Sequence, residues 1–135
     1  MLECLVLGDS VAVGVAQHRP ECVKLAHTGW NTARWANHYL DGTDISAGVV
    51  VISLGGNDRK ISTLANLHYI RKRVSGHKVY WILPSKNNVP AAEAVLQVAA
   101  QYGDVVLPRP QQHMSSDRVH PTQTGYKLLA KETKQ

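Results

Sequence analysis

The chain has 135 residues, enough to bury one core as a single domain spanning residues 1–135. Apolar residues make up 44% of it and Phe is absent, so Val, Leu, Ile, Ala, five Tyr and three Trp must fill the interior. No apolar run approaches the roughly 20 residues that span a bilayer, and the net charge of +5 favours an anionic partner.

Leu2 to Leu7 reads as a buried strand, and Val11 to Ala16 continues as the start of a packed helix. Cys22 to Ala26 is a second short strand. Asn31 to Leu40 follows as a helix, with Asn31 or Thr32 able to cap it. Val49 to Leu54 is β-branched and uninterrupted, as expected of a central strand in a parallel sheet. Ser62 to Val74 is a third helix, and Lys78 to Leu83 a fourth strand stopped by Pro84. Pro90 to Tyr102 is an alanine-rich helix with Gly103 as its stop, Asp104 to Leu107 a fifth strand, and Thr122 to Lys131 the last helix. This alternation predicts a three-layer α/β/α, flavodoxin-like domain. Its five-stranded parallel sheet has the expected strand order 2-1-3-4-5, with right-handed crossovers.

In such a sheet every strand-to-helix loop opens on one rim, where open α/β folds place their ligands. Gly8-Asp9-Ser10 stands at the first of these junctions. By itself it is a turn and a helix cap. The second loop carries His27-Thr28-Gly29-Trp30, in which Gly29 can expose a backbone N–H. The third reads Gly55-Gly56-Asn57-Asp58, two permissive glycines followed by a side-chain amide donor. Before the last helix, Asp117-Arg118-Val119-His120-Pro121 places a carboxylate three residues ahead of an imidazole. Asp117 could there fix the tautomer of His120 and stabilise its protonated form.

The remaining chemistry-bearing residues read more plainly. His18, His38, His68 and His77 are expected as surface or helix residues, with no metal-ligand spacing among the histidines. His113 could line a cleft. Cys4 and Cys22 fall in or beside neighbouring strands and could be close. In a chain read as cytoplasmic, or as a mature form whose leader is gone, they are expected as buried free thiols. Arg71-Lys72-Arg73 is expected as a solvated helix face, without the aromatic platform of a nucleic-acid site.

Taken in order, Gly8-Asp9-Ser10, Gly29, Gly55-Gly56-Asn57-Asp58 and Asp117-Arg118-Val119-His120-Pro121 resemble the four sequence blocks of the SGNH (GDSL-type) hydrolases. Thr122, Gly125-Tyr126 and Leu129-Ala130 match that family's usual final helix, so the resemblance spans nearly the whole chain. Val11 stands where the usual four-letter motif has leucine. The resemblance implies Ser10 as nucleophile, His120 as general base and Asp117 as its orienting acid. The backbone N–H groups of Ser10 and Gly29 and the side-chain amide of Asn57 would form the oxyanion hole. Asp9 would support the loop rather than act in the triad.

Such an enzyme needs no cofactor and no metal. The brief connections predict an open rim suited to a small-molecule or glycan ester with a short acyl group such as acetyl. Trp30, Asp58 and His113 are candidate substrate contacts, Trp30 by stacking on a sugar ring or else as core packing. A lysophospholipase or thioesterase, and a non-catalytic glycan-binding module on the same fold, are the competing expectations. No nucleic-acid partner and no membrane span are expected, and a monomer is compatible with everything in the sequence.

Overall fold

The computed structural model describes residues 2–59 and 62–134. Five strands form one parallel sheet in the order β2-β1-β3-β4-β5. They are β1 (Leu2–Gly8), β2 (Val23–Ala26), β3 (Ile45–Ser53), β4 (Val74–Ile82) and β5 (Val105–Leu107). Between and after them lie α1 (Ser10–Ala16), α2 (Thr32–Tyr39), α3 (Thr63–Arg73), α4 (Val89–Tyr102) and α5 (Gln123–Glu132). The expected strand order and three-layer arrangement are both observed.

Because side chains alternate along a strand, each central strand feeds two cores. Leu5, Leu7, Val50, Ile52, Val79 and Trp81 pack on one face against Trp35, Leu67, Ile70, Val95 and Val98 of α2, α3 and α4. Val6, Val51, Tyr80 and Ile82 point to the other face, against Val11, Val15, Tyr126 and Leu129 of α1 and α5. Burial on both faces is why these strands read as unbroken apolar runs.

Two strands start earlier than the sequence suggests. β3 begins at Ile45, and β4 begins at Val74 directly from the end of α3. Their opening residues, Ile-Ser-Ala and Val-Ser-Gly, pair with each other in register, Ile45 with Val74 and Ala47 with Gly76. Pairing holds Ser46, Ala47, Ser75 and Gly76 extended, residues whose own strand propensities are weak.

Two further expectations are corrected. Cys4 and Cys22 form a disulfide, with Cα atoms 4.7 Å apart, rather than standing as free thiols. The parallel register that sets Leu5 opposite Val23 brings the preceding pair, Cys4 and Cys22, side by side. The Arg71-Lys72-Arg73 run is not a solvated face either. Arg71 is buried and donates to both carboxylate oxygens of Asp104 at 2.7 and 2.9 Å, and Arg73 reaches Asp44 at 3.2 Å. Only Lys72 of the three stands fully in solvent.

All five strands run the same way, so their carboxyl ends share one rim. Ser10, Gly29, Asn57 and the β4–α4 loop all follow strand ends there, and the segment between β5 and α5 returns to the same rim.

Candidate active site

Ser10 is the first residue of α1, capped by Asp9, whose carboxylate accepts from the Val11 N–H at 3.1 Å. The turn that delivers it depends on Gly8, which has φ +137°. A Cβ at Gly8 would lie 1.8 Å from the Ser53 carbonyl oxygen, so only glycine fits. The Asp9 N–H then donates to that same Ser53 oxygen at 2.9 Å, fixing the end of β1 to the end of β3.

A continuous hydrogen-bonded line runs from this serine to a carboxylate. Ser10 Oγ lies 2.9 Å from His120 Nε2, and His120 Nδ1 lies 2.8 Å from Asp117 Oδ2. The other oxygen, Oδ1, accepts from the Val119 N–H at 2.9 Å, the His120 N–H at 3.0 Å and the Ser115 hydroxyl at 2.9 Å. His120 and these donors hold the Asp117 carboxyl well below the usual carboxylate range, so it stays charged across the acid range in which proteins work. The segment that carries the pair is closed at its base. Met114 bridges Pro121, the Ser115 N–H donates to the His120 carbonyl at 2.8 Å, and the Thr122 N–H donates to the His113 carbonyl at 2.8 Å.

The expected oxyanion donors come to the same rim. Gly29 is exposed, with φ +83° and nothing within 4 Å of the position a Cβ would take. Among the described residues its N–H has no hydrogen-bond acceptor. The Asn57 amide donates to the Trp30 carbonyl at 3.1 Å, which ties the third loop to the second and leaves the other amide proton unengaged among the described residues.

Of the three expected substrate contacts, Asp58 and Trp30 are engaged by the chain itself, whereas His113 lines a groove. Asp58 faces inward as a tie between helices. It accepts from the Thr32 N–H at 2.9 Å, from the Thr32 hydroxyl at 2.5 Å and from the Thr63 hydroxyl at 2.9 Å. The Trp30 ring is engaged by the chain itself, stacked on His27 at 4.0 Å between centroids and overlaid by the Arg34 guanidinium at 4.7 Å. His113 lines a groove of about 710 Å³ beside α5, together with Pro108, Pro110, Leu128 and Lys131.

Two buried groups behind the site were not singled out as a pair by the sequence. Asp9 is buried, and desolvation pushes its carboxyl up despite the Ser53 hydroxyl at 2.9 Å and the nearby Arg109 charge. Arg109 is buried as well. It donates through Nε to the Leu83 carbonyl at 3.0 Å and through Nη1 to the Val119 carbonyl, spanning from the end of β4 to the segment that holds His120. Burial lowers its basicity, and Asp9 counters part of that loss. Nothing in the local sequence Leu-Pro-Arg-Pro marks Arg109 as anything but a loop cation.

No family model matches the sequence, and no curated protein matches it. Solved structures do match the fold. A GDSL-like lipase from Bacteroides thetaiotaomicron superposes with a TM-score of 0.68 at 13% identity, over 96% of this chain and 84% of that one. The catalytic domain of peptidoglycan O-acetyltransferase A from Streptococcus pneumoniae, carrying a methylsulfonyl adduct, gives 0.63 at 16% identity over 96% and 88%. Phospholipase A1 from Streptomyces albidoflavus gives 0.61 at 14% over 97% and 98%. The chain therefore has the SGNH-hydrolase fold over nearly its full length.

Proposed function

We propose that this protein is a serine esterase of the SGNH type, acting through an acyl-enzyme on Ser10. The observation that carries the reading is the unbroken hydrogen-bonded line from Ser10 Oγ through His120 to Asp117. A serine hydroxyl is a weak nucleophile until a base within hydrogen-bond reach takes its proton, and His120 is so placed. Asp117, held ionised, orients the imidazole and offsets the charge it acquires.

As the ester carbonyl is attacked, negative charge gathers on its oxygen. The Ser10 and Gly29 N–H groups and the second Asn57 amide proton would be the donors for it, and the bond from Asn57 to the Trp30 carbonyl supports that reading by restraining the amide. The alcohol leaves with the proton held by His120. Water, deprotonated by the same imidazole, then attacks the acyl-enzyme and releases the acid.

The favoured substrates are short-acyl, acetyl-type esters on an accessible carbohydrate. Brief loops support this reading, as does the similarity in fold to a domain named for peptidoglycan O-acetyl transfer. The Cys4–Cys22 disulfide suits oxidising surroundings, and hence a target outside the cytoplasm.

The test is labelling by a fluorophosphonate probe together with hydrolysis of para-nitrophenyl acetate. Both should vanish in Ser10→Ala, with the circular dichroism spectrum unchanged. Hydrolysis that survives the substitution removes the mechanism. Faster turnover of octanoyl than of acetyl esters would replace the acetylesterase reading with a lysophospholipase or thioesterase one.

A further inference from the structure

Three cations of this chain pair with carboxylates, Arg19 with Glu21, Arg71 with Asp104 and Arg73 with Asp44. On the rim, the β4–α4 loop and the segment ahead of His120 enclose a cleft of about 210 Å³. Lys86, Arg109 and Arg118 line it with Ser85 and Gln111, and no carboxylate does. Lys86 and Arg118 are exposed, and neither has an ion-pair partner among the described residues. Of the acids near this rim, Asp9 faces Arg109 from behind the cleft, Asp117 is committed to His120 and backbone N–H groups, and Asp58 to Thr32 and Thr63.

Arg118 carries the stronger signal. Its φ is +60°, a region that disfavours any residue with a Cβ, and it follows a turn closed by its own N–H on the Ser115 carbonyl. Glycine would make that turn without strain. The backbone therefore gives no reason for an arginine here, whereas the cleft does. Arg118 is also two residues from His120, so the two Cα atoms lie within about 7 Å.

We propose that this cleft is a subsite for a negatively charged group, a carboxylate or a phosphate, carried by the ester substrate. The inference rests on ester hydrolysis at Ser10 and specifies which esters are preferred. Lys86 and Arg118 act as specificity residues that bind the anion beside the reacting carbonyl, with Ser85 and Gln111 available as hydrogen-bond donors.

Matched ester pairs test it and locate the charge. For the alcohol side, para-acetoxybenzoate is compared with its methyl ester. For the acyl side, the mono-para-nitrophenyl ester of glutarate is compared with para-nitrophenyl valerate. In at least one pair, kcat/KM should favour the anion by about tenfold at low salt, the scale of two partly screened ion pairs. That ratio should fall toward one in Lys86→Ala/Arg118→Gly, and should persist in Lys72→Ala, which removes a charge at the end of α3 where β4 begins, away from the rim. Turnover of the neutral esters with no anionic preference in either pair overturns the subsite and leaves the esterase standing. So does a preference that survives the double substitution or disappears with Lys72. Absence of Ser10-dependent turnover on all four esters removes the proposed function and the subsite together.

Discussion

The Arg109 guanidinium donates to the carbonyl of Val119, the residue immediately before His120, while its Nε holds the Leu83 carbonyl at the end of β4. One buried side chain thus fixes the His120 segment to the sheet. Arg109→Lys keeps the charge opposite Asp9 but cannot span both carbonyls. The expected result is a kcat lower by about 10- to 100-fold, the scale of a small misplacement of a catalytic group, with KM for a small neutral ester little changed. Rates should be normalised to sites titrated with a fluorophosphonate. A normalised kcat equal to that of the parent would reduce Arg109 to a structural tie.

Asn57 offers a side-chain donor from a loop pinned by the Trp30 carbonyl. Asn57→Ala should lower kcat by about 100- to 1,000-fold with little change in KM, because the bond to the carbonyl oxygen strengthens in the transition state. Gly29→Ala is the milder change. It keeps its N–H and meets no atom within 4 Å, so its cost comes from the φ of +83°. Steady-state kinetics on para-nitrophenyl acetate separates them, and a rise in KM alone for Asn57→Ala would make that residue a ground-state contact.

Burial raises the Asp9 carboxyl above its unfolded value of about 3.9, so the fold binds its proton more tightly than the unfolded chain does. Stability from this group is therefore greatest in acid and declines as pH rises through the interval between the two values. In Asp9→Asn the oxygen that accepts from Val11 and Ser53 remains and the titration is gone. The melting temperature of the variant relative to the parent should rise between pH 4 and pH 7. A difference that is flat, or that falls with pH, would show that the carboxyl is not raised.

The strand order and the rim were legible because they follow from features that local sequence carries. Apolar runs, the cap at Asn31 and the stop at Gly103 each mark a boundary without reference to a distant residue. The Asp117–His120 pair was legible for the same reason, being three residues apart and closed within one turn. What escaped depends on register or on long-range burial. Cys4 and Cys22 meet only because β1 and β2 pair in one particular register. Asp58 turns inward only because Thr32 and Thr63 arrive from α2 and α3 to receive it. Trp30 is covered by His27 and Arg34, neighbours whose approach composition does not announce.

The Cys4–Cys22 disulfide offers a last prediction, because it ties β1 to the residue just before β2, where no site residue lies. Cys4 lies in the first half of β1, four residues before Gly8 and away from the rim. With a sequence separation of 18, its removal should cost about 3 kcal/mol, mostly by freeing the unfolded chain. The double variant Cys4→Ala/Cys22→Ala, or the reduced protein, should melt about 10 °C lower. At 25 °C the folded fraction should keep the parental kcat, since the sheet itself still positions Ser10. Calorimetry with and without reductant checks the first part, and kinetics per titrated site the second. A melting temperature indifferent to reductant would mean that the bond contributes nothing to stability. A loss of kcat per site would tie the far end of β1 to the chemistry at its near end.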